Sequence, residues 1–306
     1  MREKIHAEES LVDRMSQGKR VVICELDPPK TLDLDRYFAG AKGLIKAGCD
    51  AITLADNALA ILRASNLAIG AILKERFGIT PLLHMSCRDR NVLGLQSSLL
   101  GMAALGIRHV LPLTGDPAKV GDHPKARSIY EVDGVRLISL ITRLNEGFNA
   151  AGKVVKIPSD FVTGCTFNPN AKDLEAQVAR LERKIEAGAQ FAMTQPVFEV
   201  RLLEEMRRRT AHLPIPMLTG VWPLTSGRQA EFLHNEVPGI IVPDSVRAEM
   251  AGLEGAAGRA RGVKLAKEIA RAALTFYPEG LYLITPALQY ETTVELAEFA
   301  RGFGPR

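Results

Sequence analysis

Short, uninterrupted apolar runs alternate along this chain with longer segments in which apolar residues recur at helical spacing. The first pattern predicts strands buried on both faces, as in parallel sheets, and the second predicts amphipathic helices. Eight strands are predicted, at residues 21–25, 51–54, 81–86, 108–113, 160–164, 190–194, 216–221 and 280–284. Helices are predicted at residues 34–47, 58–76, 91–105, 134–147, 173–187, 199–211, 226–235, 244–252 and 256–276, with a last one after residue 290.

This order of elements predicts the fold class. Eight strands alternating with helices over 306 residues are typical of a (β/α)8 TIM barrel. We expect one barrel domain over residues 1–306, with residues 1–20 forming an N-terminal extension that contains an extra helix. A doubly wound open sheet is the alternative reading of the same pattern.

Charge and cysteine content narrow the class of protein. Lys and Arg number 39 against 35 Asp and Glu, and this mild excess of +4 is scattered along the chain. We therefore expect no nucleic-acid partner, and the small positive net charge suits a small anionic ligand. The four cysteines form no CxxC pair, which argues against disulfides and structural zinc. Without an apolar run of membrane-spanning length or a secretory signal, the expected location is the cytoplasm.

The first predicted strand ends in an unusual way. Four apolar residues, Val21 to Cys24, lead directly into Glu25, and Pro28 and Pro29 then end the segment. In a parallel barrel, the active site lies at the carboxyl ends of the strands. A carboxylate placed there after a buried run is poorly solvated, which favours a functional role for Glu25 over a simple solvated strand terminus.

Further polar residues follow the other predicted strands. Converging at one barrel mouth, they suit acid–base chemistry and the binding of a polar heterocycle. Each of these residues could also have a purely structural role. Asp116, for example, could belong to an ordinary Gly-Asp-Pro turn, and Gln195 could simply end its strand before Pro196. The set is Thr53, Asp56, His84, Ser86, Thr114, Asp116, Thr163, Thr194, Gln195 and Thr219.

Metal and dinucleotide signatures are weak. His84 and Cys87 form an HxxC pair without a second histidine nearby, so we expect a hydrogen-bonding histidine and no metal. The glycine-rich stretch at residues 252–258 follows no strand and lacks GxGxxG spacing, which indicates a break between helices.

Taken in order, these segments resemble the methylenetetrahydrofolate reductase family of flavin-dependent barrel enzymes in one-carbon metabolism. The resemblance covers nearly the whole chain, and its motifs lie in register at the strand ends. They are Glu25–Pro29, the Thr53 strand, His84–Cys87, Leu113–Asp116, and Lys184–Ala189 leading to Thr194–Phe198.

The resemblance implies FAD at the barrel mouth and a hydride passing from NAD(P)H through the flavin to methylenetetrahydrofolate. It implies that Glu25 is the general acid that protonates the folate as its five-membered ring opens. Asp116 would act on flavin and folate electrostatically, and Gln195 would hydrogen-bond the pterin. No role is implied for Asp27. The implied flavin contacts are Thr53, His84, Ser86, Asp116 and Lys184.

Several positions depart from the family pattern. Thr114 stands where members carry an arginine, and Gly164 and Asn168 stand for an aromatic residue and a histidine. Gly227 replaces an aromatic residue after strand seven, and strand eight ends Ile284-Thr285-Pro286 in place of an Asn-Arg pair. These departures resemble the branch that is fused to methyltransferases or works beside partner subunits.

Two alternatives stay open on the sequence. One is a metal-dependent barrel lyase or methyltransferase that uses His84, Cys87 and nearby carboxylates. The other is a FAD-carrying subunit that is active only in a larger complex, with electrons supplied by a partner. We expect assembly as a homo-oligomer or with a partner subunit.

Overall fold

The computed structural model describes residues 9–156 and 158–304, which form a closed barrel of eight parallel strands. Each strand pairs with the next along the chain, and the eighth pairs with the first. This closure confirms the (β/α)8 barrel and excludes the doubly wound sheet. The strands are β1 (Val21–Glu25), β2 (Ala51–Leu54), β3 (Thr80–Ser86), β4 (His109–Leu113), β5 (Val162–Phe167), β6 (Phe191–Pro196), β7 (Met217–Val221) and β8 (Gly280–Ile284).

The helices surround the barrel and follow the predicted order. They are α1 (Leu11–Ser16), α2 (Asp35–Lys46), α3 (Asn66–Phe77), α4 (Val92–Ala104), α5 (Gly134–Asn145), α6 (Leu174–Glu186), α7 (Val200–Thr210), α8 (Gly227–Glu236), α9 (Asp244–Met250), α10 (Gly255–Phe276) and α11 (Tyr290–Gly302). Between residues 9 and 304, leaving aside residue 157, none of these helices has the length and hydropathy needed to cross a bilayer.

The predicted N-terminal helix is present as α1 and closes the amino-terminal end of the barrel. Ser10 caps it, accepting a hydrogen bond from the backbone N–H of Asp13. Leu11 and Met15 are buried among the side chains of the barrel interior. The Leu11 N–H also donates to Nε2 of His109 at the start of β4, at 3.2 Å. The opposite, carboxyl-terminal end of the barrel is therefore the end available for a ligand.

Alternation along β1 places Glu25 inside the barrel. Val21 and Ile23 belong to the interior cluster, whereas Val22 and Cys24 pack between the sheet and the helices. Since successive strand residues face opposite sides, Glu25 follows Ile23 into the interior at the carboxyl end of the strand.

The helix predicted at residues 58–76 is wrong in its first part. Asn57, Leu59 and Ala60 have left-handed backbone conformations with φ of 51°, 55° and 55°, which a continuous α-helix cannot contain. The α-helix starts only at residue 66, after Ser65, whose side chain accepts from Ala68 N–H at 3.5 Å. Residues 57–65 instead form a segment at the barrel mouth, here called the β2 strap.

Strand five also extends further than predicted, to residue 167. Its glycine, Gly164, is not a strand end but a packing position. A Cβ there would lie 2.6 Å from the Phe191 ring on the neighbouring β6. The aromatic ring thus fills the space that a side chain would take, and the strand continues through the glycine.

Candidate active site

A cavity of about 690 Å³ opens at the carboxyl ends of the strands, within the usual range for sites that bind small organic ligands. One side of it is largely polar and is formed by the ends of β1 and β3, the β2 strap and the turn after β4. The other side, called the apolar side here, is formed by the end of β7, helix α8 and the segment after it, where apolar residues lie beside Ser226, Arg228 and Gln229. Polar lining residues include Glu25, Asp27, Arg63, His84, Asp116, Thr166, Gln195 and Thr285.

Glu25 lines the cavity on its polar side. The hydroxyl of Tyr282, on the adjacent β8, donates a short hydrogen bond to Oε2 of Glu25. Among the described residues, none donates to the other oxygen, Oε1. Burial, reinforced by the neighbouring Asp27 carboxylate, raises the pKa of Glu25 to about 8, while the Tyr282 hydrogen bond and the Arg63 cation act in the opposite direction. At neutral pH, Glu25 therefore holds a proton.

Asp27 is a second carboxylate beside Glu25, and Arg63 of the β2 strap binds it. The guanidinium lies 3.1 Å from Oδ2 of Asp27 and also donates to the Pro28 carbonyl at 3.1 Å. Burial raises the pKa of Asp27, against the effect of Arg63. This pair ties the strap to the end of β1.

Asp116 faces the cavity from the turn after β4. Its Oδ2 accepts a hydrogen bond from Leu59 N–H of the strap at 3.1 Å. The buried guanidinium of Arg88 donates to the Asp116 backbone carbonyl at 3.2 Å, and the Tyr130 hydroxyl donates to the Gly115 carbonyl at 3.0 Å. Gly115 has φ of +88°, and a Cβ there would collide with Ser86. The turn is thus held in one conformation, which fixes the position of the carboxylate.

His84 and Thr53 are buried with polar atoms that no described group satisfies, Nε2 of His84 and Oγ1 of Thr53. His84 lines the cavity, and burial lowers its pKa to about 4, so the ring is neutral. Thr53 lies beside Glu25 in the register of β1 and β2 and is fully buried. Buried polar groups normally find partners, and because His84 lines the cavity, its Nε2 indicates a ligand with a complementary polar group, whereas Thr53 is not among the lining residues.

Ser86 and Lys184 lie one layer behind the cavity lining. The Ser86 hydroxyl accepts from Arg88 N–H at 3.1 Å. Lys184, on α6, donates to the carbonyl and the hydroxyl of Thr166 at 2.5 and 3.1 Å, and burial lowers its pKa. Thr166 itself lines the cavity. Both residues therefore support lining elements instead of facing the cavity directly, whereas Gln195 lines it.

The HxxC pair is divided between two environments. His84 points into the barrel, whereas Cys87 packs in the core between sheet and helices, where burial raises the pKa of its thiol to about 12. Within residues 9–156 and 158–304, no cluster of three or more His, Cys, Asp or Glu side chains is arranged to hold a metal ion. The alternative of a metal-dependent lyase or methyltransferase built on this pair has no geometric support.

The apolar side of the cavity is built on a small hydrophobic cluster of its own. Trp222, Phe232, Leu233, Val237 and Ile240 line it. Leu233 and Ile240 also belong to a set of apolar residues that α8, α9 and the connecting segment bury separately from the two barrel cores, namely Leu224, Ala230, Leu233, Ile240, Val242, Val246 and Met250.

Three departures from the family pattern have local structural reasons. A side chain at Gly227 would begin 2.5 Å from the Met250 carbonyl, so close packing of α8 against the end of α9 excludes an aromatic residue there. At Gly164, the ring of Phe191 fills the space, as described above. The Thr114 hydroxyl accepts from Gly134 N–H at 3.1 Å, at the start of α5.

Sequence reasoning missed Arg63, Tyr282 and Trp222 as site residues. Arg63 was assigned to a helix interior, and only the left-handed residues of the strap bring it to the cavity. Tyr282 is an inward-facing position of β8, and counting alternate residues back from its end would have identified it. Trp222 directly follows β7, as the other lining residues follow their strands.

A closed parallel barrel with a half-buried, protonated carboxyl group and a ligand-sized cavity at its strand ends defines a barrel enzyme acting on a small organic molecule. The sequence profile of methylenetetrahydrofolate reductase matches residues 10–294, and the chain belongs to this family of oxidoreductases. The predicted family is thus confirmed.

Individual relatives agree with this assignment. The 5,10-methylenetetrahydrofolate reductases of Salmonella typhimurium and Escherichia coli are each 26% identical to this chain over 220 residues, which cover 70% of the chain and 68% of each relative. Among solved structures, a Clostridium thermocellum protein that binds two copies of 5-methyl-5,6,7,8-tetrahydrofolic acid superposes with a TM-score of 0.63 at 14% identity. The match covers 94% of this chain and 98% of that protein, and it shows a shared fold.

Proposed function

We propose that this protein reduces 5,10-methylenetetrahydrofolate to 5-methyltetrahydrofolate, using FAD and a hydride from NADH or NADPH. Family membership supports the reaction class, since the named relatives are 5,10-methylenetetrahydrofolate reductases. The observation in this chain that carries the proposal is Glu25, a protonated carboxyl group at the mouth of the barrel. Reductive opening of the methylene bridge needs such an acid at neutral pH.

The residues around the polar side fit a flavin. The unpaired Nε2 of His84 offers a hydrogen-bonding position, and Leu111, Leu113 and Met193 supply apolar lining for a planar ring. We propose that His84, Thr53 and Asp116 hold the flavin, with Ser86 and Lys184 keeping the lining in place from behind. When bound, FAD supplies a hydride to the one-carbon unit of the folate.

Glu25 would supply the proton. In the proposed reaction, the carboxyl group donates it to a nitrogen of the folate's five-membered ring, and the carbon–nitrogen bond breaks with its electron pair moving to that nitrogen. The one-carbon unit is left as an iminium, which a hydride converts to a methyl group. Since Tyr282 donates to Oε2, the proton to be transferred resides on Oε1. Gln195 would hydrogen-bond the pterin, and the Asp116 carboxylate would stabilise the positive charge of the iminium.

The proposal is tested by flavin reconstitution followed by turnover. The purified chain is incubated with FAD, desalted and examined for bound flavin by visible absorption. NADH and NADPH are then added separately under anaerobic conditions, followed by 5,10-methylenetetrahydrofolate. We expect flavin bleaching with one donor and formation of 5-methyltetrahydrofolate. Absence of bound flavin together with absence of product, with either donor, would overturn the proposal.

A partner-supplied electron source is tested with the same preparation. If the bound flavin is reduced by dithionite but by neither nicotinamide, and the reduced protein then forms 5-methyltetrahydrofolate, the reaction is retained and the donor is a separate protein. That outcome would support the subunit alternative raised by the sequence departures.

A further inference from the structure

One tyrosine inside the barrel carries a hydroxyl that the packing of the fold does not need. A phenylalanine would fill the same space. Tyr282 lies on β8 directly opposite Ile23 of β1, and the next inward position of β1 is Glu25. Its ring packs in the interior cluster, and its hydroxyl is directed at a single partner, Oε2 of Glu25. The side chain also lines the cavity.

We propose that Tyr282 is a positioning residue that holds Oε2 of Glu25 against β8, so that the proton of the carboxyl group resides on Oε1 for transfer to substrate. This inference rests on the proposed function. It assigns a second residue to the delivery of the proton, beside the acid Glu25. It also explains how a flexible glutamate side chain presents one defined oxygen.

The geometry leaves few other ways to orient this carboxyl group. Arg63 is the nearby cation, but both terminal nitrogens of its guanidinium are engaged, one by Asp27 and the other by the Pro28 carbonyl. Burial and the neighbouring Glu25 hold the pKa of Tyr282 well above its usual value, so the hydroxyl remains a donor throughout the working pH range. The ionisable groups around Glu25 are Tyr282 on β8, Asp27 at the end of β1, Arg63 of the β2 strap and, across the cavity, His84 and Asp116.

Removing the hydroxyl has two consequences that can be separated. Glu25 loses its orienting bond, so its acid function weakens. The carboxylate form also loses a hydrogen-bond donor, so the pKa of Glu25 rises beyond about 8. A variant without the hydroxyl should thus be slower at neutral pH and yet remain active to a higher pH than the native protein.

The test is Tyr282→Phe in the FAD-reconstituted chain, with Tyr277→Phe as the matched control. Tyr277 is also buried, and its hydroxyl lies 3.4 Å from that of Thr210, outside the cavity. For Tyr282→Phe, we expect kcat to fall about tenfold at pH 7 with little change in KM, and the alkaline limb of the kcat profile to move upward. Tyr277→Phe should leave both unchanged.

A readout independent of turnover follows the carboxyl group itself. The infrared C=O stretch of protonated Glu25, identified by its loss in Glu25→Gln, is titrated in the flavin-free protein. We expect its midpoint to rise in Tyr282→Phe. Introducing Tyr282→Phe into Glu25→Gln should cost no further activity, because the amide has no acidic proton left for the hydroxyl to position.

Two outcomes would overturn the inference while leaving the reductase proposal intact. One is a native profile and an unmoved infrared midpoint in Tyr282→Phe. The other is loss of the alkaline limb altogether, which would make the tyrosine itself the acid. Absence of turnover in the native protein is a different result, because it contradicts the proposed function and not the hydrogen bond.

Discussion

The two sides of the cavity are built in opposite ways. On the polar side, three carboxyl groups at the cavity each have a protein partner: Glu25 has Tyr282, Asp27 has Arg63, and Asp116 has Leu59 N–H. On the apolar side, shape is set by a separate hydrophobic cluster under α8 and α9. The first arrangement suits chemistry, which needs groups held in place, and the second suits binding, which needs surface area. Substitutions on the two sides should therefore differ in kind as well as in size.

The largest expected effect is on the polar side, at Glu25→Gln. The amide keeps the shape and can still accept from Tyr282 but cannot give up a proton, so kcat should fall about 1,000-fold with KM and bound FAD nearly unchanged. Steady-state folate turnover beside the visible flavin spectrum measures this. Glu298→Gln, an exposed position on α11, is the control. Native turnover in Glu25→Gln would remove Glu25 from the mechanism.

The pH dependence should carry the signature of the same carboxyl group. Because the acid form of Glu25 is needed and its pKa is about 8, kcat should be flat below that value and fall as pH rises through it, about tenfold per unit. The pKa of Glu25 in the folded protein lies above the ordinary glutamate value of 4.5, so native stability relative to Glu25→Gln is greatest below pH 4.5 and declines as pH rises to 8. Urea unfolding of both proteins at pH 5 and pH 9 checks this sign. An activity profile that rises through pH 8 would contradict the assignment.

A smaller effect is expected at Arg63→Gln, which leaves Asp27 without its cation and frees the β2 strap. We expect a loss of about 2 kcal/mol in the free energy of unfolding, together with a raised KM. Arg201→Gln is the matched control, since it removes a guanidinium from an exposed ion pair with Glu199. Equal stability of the two variants would show that the strap is not held by this pair.

The smallest effect belongs to the apolar side. Phe232 is half exposed at the edge of the cavity, so Phe232→Ala should raise KM two- to fivefold, corresponding to about 0.5–1 kcal/mol of lost contact, and leave kcat unchanged. Leu32→Ala, almost fully exposed and outside the cavity lining, is the control. A change in kcat would contradict the assignment of binding alone to the apolar side.

The barrel and the position of Glu25 could be predicted because both depend on local pattern. Alternation along the strand and the prolines after it define where the carboxyl group lies. The β2 strap could not be predicted, because Leu59 and Ala60 have side chains that favour a helix and adopt left-handed conformations only in their tertiary setting. Contacts between distant segments, such as Tyr282 with Glu25, depend on barrel register, which a single sequence does not specify. For the same reason, the sequence did not show that Ser86 and Lys184 lie behind the cavity lining, and their contact with a flavin stays a prediction.

Trp222 has a practical consequence that follows from its place on the apolar wall. It is the single tryptophan of the chain, so all indole fluorescence comes from one point at the edge of the cavity. A flavin bound there would accept the excitation energy and quench the emission, and a folate would alter it through contact. The protein thus carries its own optical reporter, and occupancy of the site can be followed by titration without any label.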